Sequence, residues 1–179
     1  QIIQNEFPSS NANEEAWKDV LSHCEVVPSI CHLLNTTQYY AAYFSLNQSI
    51  NLSFVLYINK QPIGIMPLIA RKNEINGWIL SSGTPSHGEE IVEPIFVKNL
   101  PRKIKRRLES QLVHLIYLIA KELKVKYCQF TNTGYWQLSS WYLLLSSEAQ
   151  EIFPTHHLLV DLSLSLKKIK LNFRKSYRP

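Results

Sequence analysis

Several features that would assign this chain at once are missing from it. No apolar run approaches the roughly 18 residues of a membrane span, and no signal-peptide pattern stands at its start. There is no P-loop, no G-x-S-x-G, no H-E-x-x-H and no dinucleotide G-x-G-x-x-G. The common phosphate loops, the hydrolase elbow and the zinc-protease helix are therefore excluded. The three cysteines, Cys24, Cys31 and Cys128, are an odd count without metal-ligand or C-x-x-C spacing. They fit a reducing, cytoplasmic compartment. His156 and His157 adjoin on a predicted strand, so their side chains face opposite ways and are poor candidates for a shared metal. No internal repeat or low-complexity tract appears.

What is present is enough for one domain. The 179 residues are long enough to bury a sizeable core, and 45% hydrophobic with 18% charged is ordinary for a globular chain. The formal net charge of +5 invites a nucleic-acid reading. It is concentrated, however, at Arg102–Arg107 and Lys167–Arg178, which describes two local anion sites better than a uniformly basic surface.

Along the chain, Asn13-Glu14-Glu15-Ala16 opens a helix with a capping residue and early acids, and Trp17, Val20 and Leu21 give it an apolar face. A second helix is predicted from about 36 to 46. Its tyrosines 39, 40 and 43 with Phe44 read as a core stripe, the alternative being the lining of a substrate groove. Strands follow over 50–58 and 63–70, joined by the turn Asn59-Lys60-Gln61-Pro62, and a third runs from 76 to 82. The loop after it supplies His87, Glu89, Glu90 and Glu93, a weak candidate for acid–base work. A short strand at Ile95-Phe96-Val97, a long helix, a strand over 125–131 and a helix over 136–146 complete this part. Helices and strands alternate, with one hairpin. The expectation is a mixed α/β (α+β) fold, a largely antiparallel sheet flanked by helices.

The long helix is the most informative element. Asn99 or Leu100 is expected at its cap and Pro101 in its first turn. Ile104, Leu108, Leu112, Leu115, Ile116, Ile119 and Leu123 form one apolar face at three- and four-residue spacing. Yet Arg102, Lys103, Lys105, Arg106 and Arg107 crowd its first two turns, where the helix dipole disfavours cations by a few tenths of a kcal/mol each, roughly. Cations held against that field suit an anion, because a helix start already offers free N–H groups. A solvated basic face is the plainer alternative.

The last stretch, THHLLVDLSLSLKKIKLNFRKSYRP, begins as a strand and passes into a basic helix with six cations and no acid from Lys167 onward. Arg174 and Arg178 are four apart, so two guanidiniums would share one helix face beside Lys175 and Tyr177. That pairing suits a phosphate-bearing substrate, and a generic basic interface helix is the alternative. The chain stops inside this pattern and starts with Gln rather than Met, so we expect the first lobe of a longer protein.

The strand T-x-x-x-x-V-D-L-S (Thr155 to Ser163) followed by F-R-K-S-Y-R (Phe173 to Arg178) resembles the link between the two lobes of FemAB-type transferases, which are tandem GNAT-like folds. The element order upstream is similar, so the resemblance spans most of the chain. It implies a GNAT-like lobe over 1–163 and the start of a linker helix over 164–179, leading to a second GNAT-like lobe. The Asn-Lys-Gln-Pro-Ile-Gly stretch resembles the central GNAT hairpin. GNAT enzymes hold the coenzyme A pyrophosphate where the long helix starts, on R/Q-x-x-G-x-G/A. Here Lys105 and Arg107 replace both glycines, which phosphate oxygens need for close approach to the backbone. The resemblance thus implies no firm cofactor. Its donor is aminoacyl-tRNA or an acyl-coenzyme A, with acetyl-coenzyme A disfavoured. The implied acceptor is an amine on a phosphorylated small molecule, a cell-wall precursor or a surface-sugar intermediate. No catalytic nucleophile is visible, as expected where an enzyme positions an amine against an activated ester. The competing reading is a non-catalytic module whose basic helices hold RNA or a phosphorylated ligand.

Overall fold

A computed structural model of the chain describes residues 11–43, 48–73, 77–83, 90–131, 139–152 and 168. The chain divides into two units, Gln1–Ala149 and Gln150–Pro179. In the second unit 150–152 and Lys168 are described, Lys168 as helical and exposed. The boundary expected between 163 and 164 lies outside the described residues. Among those residues no helix is long and apolar enough to cross a membrane.

The first unit is a mixed α+β fold built around the expected hairpin. Strand β2 (Phe54–Ile58) pairs antiparallel with β3 (Gln61–Met66). Asn59 and Lys60 both have positive φ, 49° and 66°, the geometry of a two-residue turn whose twist matches the strands. The turn is therefore two residues long rather than four, and Gln61 and Pro62 already belong to β3. Between Leu56 and Tyr57 the register slips, leaving Ile63 as the extra residue. A bulge there accommodates Pro62, which has no N–H to offer a ladder. Strand β7 (Ile95–Phe96) joins β3 on its other edge, antiparallel. The ladders cross closely at Gly64, where a Cβ would meet Phe96 Cδ1 at 2.8 Å and Ile95 O at 3.0 Å.

Period-two alternation gives this sheet two apolar faces. Val55, Ile65 and Ile95 point to one side and pack on Trp17 and Val20 of helix α1 (Asn11–Ser22) and on Leu34 of helix α2 (Leu34–Tyr43). Phe54, Leu56, Met66 and Phe96 point to the other and pack on Leu108, Leu112 and Ile116 of helix α3 (Arg102–Glu122) and on Trp141 of helix α4 (Ser140–Glu148). Each of those three α3 side chains is worth roughly 1.5–3 kcal/mol when buried.

The strand expected over 50–58 bends at Leu52-Ser53 into β1 (Ser49–Asn51) and β2, and its partner bends at Pro67-Leu68 into β3 and β4 (Ile69–Asn73). Pairing is carried across the bend by Leu52 N donating to Leu68 O at 2.8 Å. The buried Ser53 hydroxyl donates to Leu68 O at 3.1 Å and accepts from Leu68 N at 3.0 Å. Beyond the bend β1, β4 and β5 (Gly77–Ser81) form a second antiparallel sheet. A third ladder is parallel: β6 (Glu90–Ile91) beside β8 (Gln129–Phe130), the shorter remnant of the strand expected over 125–131. The chain between them includes β7 and α3.

Of the aromatic stripe of α2, Tyr39 and Tyr43 do not face the core, whereas Tyr40 is half-buried against Gly83. Leu34 and Thr37, 5% and 0% exposed, form its inner row, which leaves Tyr39 at 59% and Tyr43 at 63% exposure. A three-residue step from Leu34 set the inner face, and Thr37 rather than a ring occupies it. Phe44 lies outside the described residues.

Candidate functional site

The segment that delivers α3 is pinned on both sides before the helix begins. Val97 N donates to Ile63 O of β3 at 3.0 Å, and Lys98 N to His23 O, just beyond α1, at 2.8 Å. Asn99 then takes a left-handed φ of 64°, which Asn tolerates better than most residues. Pro101, not Asn99 or Leu100, is the cap: Asn99 is used for the turn, and Lys105 N donates to Pro101 O at 3.0 Å. Proline has no side-chain acceptor, so no side chain caps the helix. The N–H groups of Arg102, Lys103 and Ile104 are thus left for an outside acceptor.

The five expected cations surround this opening. Arg102, Lys103, Arg106 and Arg107 are exposed and Lys105 is half-buried. Lys105 Nζ lies 5.8 Å from the centre of the Phe96 ring, on the strand that feeds the helix. Helical spacing puts Arg102 over Arg106 and Lys103 over Arg107, two neighbouring rows. The ion pairs seen among the described residues, Lys18–Glu14 and His23–Asp19, are both local to α1 and its end, and none involves these five. Ile104, expected on the apolar face, is 37% exposed within this basic turn.

Past the cations, α3 carries a shallow groove of about 380 Å³ lined by Ser110, Gln111, His114, Leu115 and Leu118. The row through Lys103 and Arg107 continues through Gln111 and Leu115, so the groove extends the basic face along the helix. Gln111 Oε1 is buried and meets no donor among the described residues. Free N–H groups, cations and a shallow groove thus follow one another along α3.

On the inner side of the same turns is Glu109, 2% exposed. Ser140 Oγ, at the start of α4, donates to its Oε1 at 2.8 Å. Burial pushes the Glu109 carboxyl up from its ordinary range; the Ser140 hydrogen bond and nearby Lys105 and Arg106 oppose this, and Glu93 adds to it. The sequence does not single out Glu109; only its position between Lys105 and Leu112 on the inner face of α3 marks it as buried.

Glu90 belongs to β6 and Glu93 to the connection after it, whereas His87 and Glu89 lie outside the described residues. Among the described residues, His32 meets this region, 1% exposed and not singled out by the sequence. Its Nε2–H donates to Glu93 O at 2.8 Å, and Nδ1 accepts from Ser29 Oγ at 2.8 Å and Ser29 N at 3.2 Å. His32 O in turn accepts from Trp17 Nε1 at 2.8 Å. Burial lowers the His32 pKa. This is a neutral structural imidazole that ties α1 to the β6–β7 connection, and the Ser29-to-His32 spacing, that of a capping box, was its one sequence signal.

Among the described residues no three metal-ligating side chains converge. The three cysteines are free thiols, with Cys31 and Cys128 pushed up by burial. Arg174, Lys175, Tyr177 and Arg178, and the His156-His157 pair, lie outside the described residues. No protein-family model, no curated protein and no solved structure matches the chain.

Proposed function

We propose that this chain is the donor-holding lobe of a FemAB-like acyl or aminoacyl transferase of the cytoplasm, one that passes an acyl group to an amine of a cell-wall or surface-polysaccharide precursor. The observation that carries the reading is the start of α3. Uncapped N–H groups and five cations without an ion-pair partner among the described residues stand there, between the parallel strands β6 and β8 in chain order. A helix start offers its free N–H groups to phosphate whatever the direction of the strand that precedes it. Phosphates of the donor would take the N–H groups of Arg102 to Ile104 and the guanidiniums of Arg102 and Arg106. The remainder of the donor would follow Arg107 into the groove past Gln111. Transfer then needs only an amine brought against the activated ester, with the acceptor assigned to Arg174 and Arg178 on the sequence alone.

With Lys105 and Arg107 where GNAT enzymes have glycines, acetyl-coenzyme A is not the expected donor. The test uses the full-length protein that carries this chain, offered charged tRNA and a range of acyl-coenzyme A donors side by side. Transfer is followed by intact mass of the acceptor. One donor class is expected to support transfer, and Arg102→Ala with Arg106→Ala to raise its KM about tenfold, since exposed contacts are worth up to ~1 kcal/mol each. The acceptor's KM should stay unchanged. Low-micromolar binding of acetyl-coenzyme A would return the chain to ordinary acetyltransferases. RNA binding without transfer from any donor would favour the non-catalytic module.

A further inference from the structure

Helix α4 is docked on α3 through two polar groups that the docking leaves badly served. Trp141 is the one described side chain of α4 that is fully buried, at 1% exposure. Its indole meets Phe130 of β8 edge-on, ring centres 6.0 Å apart at 69°. Yet the buried Nε1–H has no acceptor among the described residues. One residue earlier, Ser140 Oγ donates to the carboxyl of Glu109, which is 2% exposed. The charges facing that carboxyl are Lys105 and Arg106 of α3 and Glu93 of the connection after β6, and α4 offers it the Ser140 hydroxyl. Neither cation closes an ion pair with it among the described residues. A carboxylate with one hydroxyl donor in a nearly dry site is poorly solvated. A nine-residue helix has little stability of its own, so α4 stays formed and in place through what it docks on.

From this geometry we infer that α4 is a detachable helix, which leaves α3 when Glu109 ionises and so brings the carboxylate and the Trp141 N–H into water together. Both groups gain hydrogen bonds by the opening. What opposes it is the burial of the indole and of the partly buried Leu145. The α3 face of Leu108, Leu112 and Ile116 keeps its contacts with β2 and β3, so the opening is local. Because α4 is the last helix of the first unit, which ends at Ala149, the opening acts on the segment through which the chain leaves that unit. The direction with pH follows from linkage. Burial holds the Glu109 carboxyl above its ordinary 4.5 in the closed state, and water returns it to that value in the open one. Opening therefore grows as pH rises through that window and levels off beyond it. None of this depends on an anion at the start of α3.

The test is native-state hydrogen exchange of the 179-residue chain by NMR, at several pH values from about 5 to 8, each amide corrected for its intrinsic rate. Amides of residues 142–147 should lose protection relative to those of residues 108–119 as pH rises. The loss is about tenfold for each unit by which closure raises Glu109. The Trp141 indole N–H should exchange in step with the α4 amides. Glu109→Gln should hold the α4-to-α3 ratio constant across the range. Ser140→Ala, which leaves the carboxylate no donor from α4, should lower α4 protection more at pH 8 than at pH 5, and serves alone should Glu109→Gln fold poorly. Protection of α4 and α3 that moves together at every pH would mean that α4 opens only with the whole unit. A changing ratio that survives Glu109→Gln would mean that another group governs it. Either result overturns the inference, as does a Ser140→Ala variant with the wild-type pH dependence.

Discussion

At the scale of single residues, the molecule contains two buried ionisable groups with opposite effects on stability. Glu109 has a raised pKa in the fold, so between its ordinary value of 4.5 and the raised one the folded state holds the extra proton. Stability therefore falls as pH rises through that window. His32 is lowered from 6.5, so the unfolded chain holds the extra proton, and stability falls as pH drops below that value. Chemical denaturation across pH 4 to 8, roughly, should show Glu109→Gln flattening the loss that sets in as pH rises above 4.5, while the loss from His32 as pH falls below 6.5 persists. An unchanged profile in Glu109→Gln would mean that the carboxyl is hydrated in the fold. Neither group was legible beforehand. A charge on an amphipathic helix is ordinarily read as solvated, and what makes Glu109 unusual is Ser140, 31 residues away, donating to it.

At the scale of elements, legibility followed how local the cause was. The β2–β3 hairpin could be placed because Asn59 and Lys60 sit between strand-forming runs, and α3 because Leu108, Leu112 and Ile116 repeat on one face. The bends were invisible, since Ser53 matters only through Leu68, its partner across the ladder. Tyr39 and Tyr43 of the α2 stripe were misread because spacing alone does not say which of two faces turns inward. That decision was made by the fit of Leu34 beneath α1. The bend itself carries a prediction. Ser53→Ala removes the acceptor of a buried Leu68 N–H, and an unsatisfied buried donor costs about 1–3 kcal/mol. Denaturant midpoints should shift accordingly; a shift under about 0.5 kcal/mol would mean that the ladder closes without the hydroxyl.

At the scale of the whole chain, its charge is local rather than global. The net +5 is carried in part by a helix start that has no side-chain cap and whose cations form no ion pair among the described residues. The basic run was plain in the sequence. Its geometric setting was not, because Asn99 had to be spent on a left-handed turn before Pro101 could become the cap. Whether that setting holds an anion or merely tolerates its own repulsion is the central question. The direct measurement is amide NMR of the 179-residue chain titrated with inorganic pyrophosphate, against sodium chloride at matched ionic strength. Saturable shifts confined to the amides of residues 102–107 and the groove that follows are expected, absent with chloride and abolished by Arg102→Ala with Arg106→Ala. Shifts scattered over the lysines and arginines of the chain, or reproduced by chloride, would contradict that expectation.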